Sequence, residues 1–190
     1  MDPILTIEER VLFKKYYLAH DAFSRAIEQI DFVTKNRNNF PSNVLYINSL
    51  SMIFILYGKP FTNNRGIGKL AEDIIPSDLM EYHRNIIIFR DKLIAHVDQN
   101  GRTPDDETEN LVEIELHIKN RKSQWNLISP YPNIEELKNY KKLLLFLKDY
   151  CLKKFNSINI KYDHANLILP DGIYGLNVSK MFEYDFYKIS

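Results

Sequence analysis

The sequence predicts a mainly α-helical bundle with a small β-hairpin appendage. Three observations carry the fold class. Long segments space their apolar residues at alternating steps of three and four. Three of these segments open on a polar residue followed three positions later by an acid. One short segment, VEIELHIK (112–119), instead alternates strictly between apolar and polar residues. A chain of 190 residues suits one domain with a substantial core, and it contains no internal repeat, low-complexity tract or linker.

The first helix is expected to open at Thr6, with Glu9 completing a capping box. Its stripe is Leu12, Tyr16, Ala19, Phe23, Ala26, Ile30 and Val33, and it ends in the polar run TKNRNNFP. A second helix begins around Pro41, at a first-turn position, and stops before Gly58. It is apolar nearly all round and is expected to be the most buried element. After the loop GKPFTNNRG, the stretch IGKLAEDII reads as a short helix ended by Pro76. Within it, GIGKL lacks both the Walker spacing and a preceding strand, so it reads as a loop-to-helix junction.

The third helix is expected from Asp78, paired with Glu81, to about Val97. A polar, acidic loop, DQNGRTPDDETEN, follows. The alternating strand and QWNLI, joined by the turn-like NRKS, form the hairpin at about 111–128, expected to lie on the bundle. Asn133 and Glu136 open a fourth helix with the stripe Ile134, Leu137, Tyr140, Leu144, Leu147 and Cys151. The bundle is thus expected over about residues 5–155 of a single domain covering 1–190, with an irregular C-terminal tail over 156–190.

Composition narrows the function classes. Lys plus Arg (25) balances Asp plus Glu (25), so there is no general electrostatic pull toward nucleic acid or membrane, and phosphate binding needs a local site. The most apolar window, VLYINSLSMIFILY, is interrupted by Asn48, Ser49 and Ser51 and is too short to span a bilayer. A single cysteine, Cys151, and the lack of a signal-peptide pattern at the start fit a cytoplasmic location.

The segment FRDKLIAHVD (89–98) breaks the pattern of plain core. On a helical wheel the third helix buries Leu79, Ile86, Leu93 and Val97, and Arg90 sits in the middle of that stripe. His83 lies one heptad earlier on the same line. A guanidinium is never neutral, and burying it unpaired costs several kcal/mol. Arg90 must therefore meet a carboxylate, cross an interface or line a polar cleft. On an ideal helix His96 lies about 120° around from Arg90 and about 9 Å further along the axis. Both side chains then reach a phosphate held between them. The structural alternative keeps Arg90 as a cross-bundle ion pair, His96 as a helix-end cap and His83 as a hydrogen-bonded core residue. Glu81, His83, His96 and Asp98 do not form a metal-ligand set: Glu81 and His83 face differently, and no HExxH or paired-cysteine spacing exists. Trp125 and Tyr131 are more readily read as packing the hairpin than as stacking bases.

RDKLIAH resembles the signature of the HEPN superfamily, an arginine, a polar residue and then a histidine after a short spacer on a late helix of an α-helical bundle. With the apolar helix, YGKP and the short helix before it, the chain resembles the single-domain HEPN proteins of bacterial abortive-infection systems over roughly residues 5–155. The resemblance implies a metal-independent endoribonuclease of a defence or toxin–antitoxin system, working without cofactor. It implies a homodimer with the motif helices facing across a composite cleft, RNA as substrate, and an antitoxin or nucleotidyltransferase as partner. His96 and Arg90 are then the catalytic residues. Histidine's ordinary pKa suits both proton transfers near neutrality, and arginine binds phosphate through two parallel hydrogen bonds. Asp91 and His83 would support them, Asp91 by orienting Arg90. The alternative is a catalytically inactive HEPN-like module that binds RNA or protein.

Overall fold

The structure, a computed structural model, describes residues 5–39, 43–64, 66–91, 113–119, 122–128, 132–164, 174–176 and 186–188. It is mostly helical: α1 (Ile7–Asn36), α2 (Asn43–Gly58), α3 (Met80–Phe89) and α4 (Ile134–His164). None of the described helices is long and apolar enough to cross a membrane.

The two long helices, α1 and α4, form the frame, and both begin where the sequence says they should. The Thr6 hydroxyl accepts from the Glu9 N–H at 3.1 Å while the Glu9 carboxylate accepts from the Thr6 N–H at 3.0 Å. Asn133 and Glu136 repeat the arrangement at 3.0 and 2.7 Å. Each box satisfies two donors that a helix start otherwise leaves orphaned. The helices run antiparallel: Lys161 reaches Glu9, and Lys141 reaches Asp31 at 2.5 Å. Between these surface pairs, Phe155 packs on Phe13 and Tyr17, and Tyr150 on Tyr16.

The α1 stripe is buried at Ala19, Phe23, Ala26, Ile30 and Val33, and widened by Ala22 and Ile27. Leu12 does not belong to it, being 38% exposed, while Arg10, two residues earlier, is buried. Leu137, Tyr140, Leu144, Leu147 and Cys151 of α4 are buried as expected, with Leu143 added. The helix continues to His164, so residues 156–164 are helical and not part of an irregular tail. In that tail two short strands, which we label β3 (Tyr174–Leu176) and β4 (Phe186–Lys188), pair antiparallel.

Against this frame α2 places Leu50, Ile53, Phe54, Leu56 and Tyr57 in the core. It is not covered all round, because Leu45, Met52 and Ile55 stay 49%, 44% and 42% exposed on its outer side. The expected short helix over IGKLAEDII does not form. Gly66 and Gly68 adopt positive φ of 80° and 75°, a bridge joins Asn64 to Gly68, and only Glu72–Ile74 makes a single 3₁₀ turn. Left-handed glycines break the α-helical hydrogen-bond sequence, and buried Leu70 and Ile75 pin the chain as a loop. The expected Asp78–Glu81 capping box is also absent. Ser77–Leu79 is a 3₁₀ turn, and α3 follows from Met80 with no side-chain cap.

Strands β1 (Glu113–Lys119) and β2 (Lys122–Ile128) pair antiparallel, with Glu113 opposite Ile128 and Lys119 opposite Lys122. Their expected seating on the helices concerns side chains outside those described, and the acidic loop after the third helix lies outside the described residues.

The corrected α1 stripe has a direct energetic test. Leu144→Ala should lower the free energy of urea unfolding by about 2–5 kcal/mol, because it leaves a cavity in the core. Leu12→Ala should cost less, about 1 kcal/mol, since the side chain is 38% exposed and its removal leaves no enclosed cavity. Comparable losses for the two variants would contradict the observed orientation of α1.

Candidate functional site

The polar breach that Arg90 marks lies along the seam between α2 and α3. Phe89 stacks on Phe54 with ring centroids 5.1 Å apart, which sets the spacing of the two helices. One residue further, Arg90 swings its guanidinium over the end of α2. Its Nη1 donates to the Gly58 carbonyl at 3.1 Å, and its Nε donates to Asp91 Oδ1 at 2.7 Å. Nη2 contacts the same Asp91 oxygen at 2.5 Å. The side chain is 21% exposed, so the charge is neither sealed in the core nor free in water.

Gly58 makes this approach possible. A Cβ built there would collide with Arg90 Cδ and would lie 2.8 Å from Nη1. The glycine is not needed for its backbone, since φ −73° and ψ −23° suit any residue. It is needed for the space. The Gly58 carbonyl also stands among the last of α2, which have no partner within the helix and carry the negative end of its dipole. A cation is therefore favourable at that point.

At Arg90 and Asp91 the helix widens into π geometry. Such local widening recurs at functional positions, and it holds more residues per turn than an α-helix. The path from Arg90 to His96 runs through residues outside those described. His96 lies outside the described residues, as do Leu93, Ile94, Val97 and Asp98.

His83 lies on the same seam, two turns before Arg90. It is buried, its Nδ1 lies 2.6 Å from the Tyr57 hydroxyl, and its Nε2 lies 3.5 Å from Glu72. Burial pushes the Tyr57 phenol far above its ordinary range, so it stays protonated. The carboxylate of Glu72 only accepts, which assigns the imidazole proton to Nε2 and leaves Nδ1 to accept from Tyr57. Phe61 closes the pocket with its ring 4.8 Å from the imidazole, edge to face. Burial lowers the His83 pKa, and nearby Arg84 adds to this, while Glu72 opposes both. His83 and Arg90 thus meet consecutive residues of α2, Tyr57 and Gly58, without meeting each other.

Asp91 holds the arginine, and His83 is the hydrogen-bonded core residue of the structural alternative. Three residues of this arrangement escaped the sequence reading: Tyr57, Gly58 and Glu72. Gly58 read as a helix stop, which it nearly is, and its second role leaves no mark in the sequence around it. Among the described residues no three His, Cys, Asp or Glu side chains converge as metal ligands.

Two predictions follow from this geometry. Gly58→Ala should destabilise the protein by about 1–3 kcal/mol through overpacking against Arg90. In an Arg90→Ala background the same change should be neutral or stabilising, since Ala favours helix. A double-mutant cycle with coupling below about 0.5 kcal/mol would contradict the seat. For His83, the folded pKa lies below the unfolded value near 6.5, so the unfolded chain takes up the proton first. Stability should therefore be flat above that value and fall as pH drops below it, down to the folded pKa. Replacing His83 by Gln should flatten part of that slope in urea titrations, leaving the part that His20 contributes, because burial lowers its pKa as well. No protein-family model, no curated protein and no solved structure matches this chain, so the chemistry of the site rests on its own geometry.

Proposed function

We propose that the chain is a metal-independent endoribonuclease with a HEPN-like bundle and hairpin, acting in the cytoplasm as part of a defence or toxin–antitoxin system. In this reading two copies form a homodimer, and Arg90 and His96 of each line a composite cleft. His96 of one copy takes the 2′-OH proton and His96 of the other gives a proton to the leaving 5′-oxygen, a pair of transfers suited to imidazole near neutrality. Arg90 binds the phosphate and stabilises the charge of the crowded transition state. An antitoxin or nucleotidyltransferase would restrain the activity.

One observation carries the proposal. Arg90 is fixed by the Gly58 carbonyl and Asp91 yet keeps 21% of its side chain at the surface. A preorganised, partly exposed guanidinium at a widened helix turn is suited to receive an anion. The second reading, an inactive module that binds RNA or protein, is favoured by the same Asp91. Its carboxylate neutralises Arg90 and competes with phosphate for it. The zero net charge of the chain also weakens any sequence-blind hold on RNA.

The purified protein should cut RNA in EDTA and leave 2′,3′-cyclic phosphate and 5′-hydroxyl ends, while DNA resists for want of the 2′-OH. His96→Ala should lower the rate by about 10²–10⁴-fold. Arg90→Lys, which keeps charge and approximate bulk but loses the two-pronged grip, should lower it by about 10²-fold. RNA binding without cleavage would favour the inactive module. Cleavage unchanged by His96→Ala would sink the mechanism.

A further inference from the structure

Away from Arg90, a cavity of about 70 Å³ opens between α1 and the chain that follows α2. That volume holds about five waters, or a short acyl chain. Leu18, Pro60, Ile67 and Leu70 give it apolar walls, and Lys15 and Lys59 also line it. Among the described residues no carboxylate lines it. Leu18 is 40% exposed, an apolar side chain left open to water on α1.

The cavity is built into the loop. The Asn64 carbonyl accepts from the N–H groups of Ile67 (3.0 Å) and Gly68 (2.8 Å). Its side-chain amide donates to the carbonyls of Lys59 (3.1 Å) and Thr62 (3.2 Å). The Leu70 N–H then ties the loop's end back to the Pro60 carbonyl at 2.8 Å. Gly66 and Gly68 turn the chain at positive φ, and a Cβ at either would meet nothing within 4 Å. These hydrogen bonds fix the loop in a shape that leaves the space unfilled.

We propose that this cavity is a binding site for a small carboxylate with an apolar body, such as a short-chain acid. Apolar wall surface rewards a hydrocarbon tail by removing both from water. Lys15 and Lys59 are the cations among the lining residues that could hold a carboxylate at the tail's head by charge-assisted hydrogen bonds. A fully hydrated inorganic anion gains nothing from the walls and loses water against them. The chemistry therefore selects the amphiphile over phosphate. The site is independent of the ribonuclease reading, since none of its lining residues belongs to the Arg90 seat.

The test is a methyl-detected NMR titration of the full chain with pentanoate, pentanol and inorganic phosphate. Pentanoate should give saturable shifts at the methyls of Leu18, Ile67 and Leu70. Pentanol should bind the same place about tenfold more weakly, and phosphate should leave these methyls unmoved. The doubly substituted Lys15→Gln, Lys59→Gln protein should bind pentanoate about tenfold more weakly with pentanol unchanged. Both substitutions are at side chains that reach solvent, and retained amide dispersion confirms the fold. Ile67→Trp should fill the cavity and abolish both ligands. Absence of saturable pentanoate shifts, equal binding of pentanol, or phosphate shifts matching those of pentanoate would each overturn the proposal.

Discussion

Arg90 brings a permanent charge into an apolar seam, and the local structure is arranged around giving it partners. The α2 helix ends at the one residue type whose carbonyl a guanidinium can lie against so closely. The helix that carries Arg90 widens where the side chain turns back, and the next residue supplies a carboxylate. Each feature is unremarkable alone. Together they satisfy a group whose unpaired burial would cost several kcal/mol. The terminal carbonyl of α2 is satisfied in return.

The seam has a second polar contact two turns away, and it works differently. Tyr57, His83 and Glu72 form a line of hydrogen-bonding groups that ends on the Glu72 carboxylate, closed by the Phe61 ring. Burial keeps the phenol protonated and the imidazole biased toward its neutral form. Arg90 thus meets α2 as a fixed charge, and His83 meets it as a group that changes charge only when the pH falls.

Much of the frame was legible in the sequence, because it rests on local rules. The Thr6–Glu9 and Asn133–Glu136 boxes form since the competing interactions at an exposed helix start are weak. The identical pattern at Asp78–Glu81 fails because Pro76 and a 3₁₀ turn set the entry to α3 instead. Leu12 fits the period of its stripe but stays 38% exposed, while Arg10 nearby is buried. The loop after α2 was misread for a related reason: GIGKLAEDII has helical spacing, yet two left-handed glycines and the Leu70–Pro60 hydrogen bond decide it. At the site, the misfit of Arg90 was visible from residue type and periodicity. Its seat was not, because Gly58 stands thirty-two residues away and a glycine leaves no chemical trace of what rests on it.

The seat of Arg90 is tested most directly by side-chain ¹⁵N NMR of its guanidinium, alone and with an uncleavable 2′-deoxy-substituted RNA strand. A seated arginine gives a slowly exchanging Nε–H resonance, shifted from the free-arginine position in the isolated protein. Adding the strand should move that resonance while the Tyr57 and His83 signals stay in place. A rapidly exchanging Nε–H at the free-arginine position, or a strand that binds without moving Arg90, would contradict it.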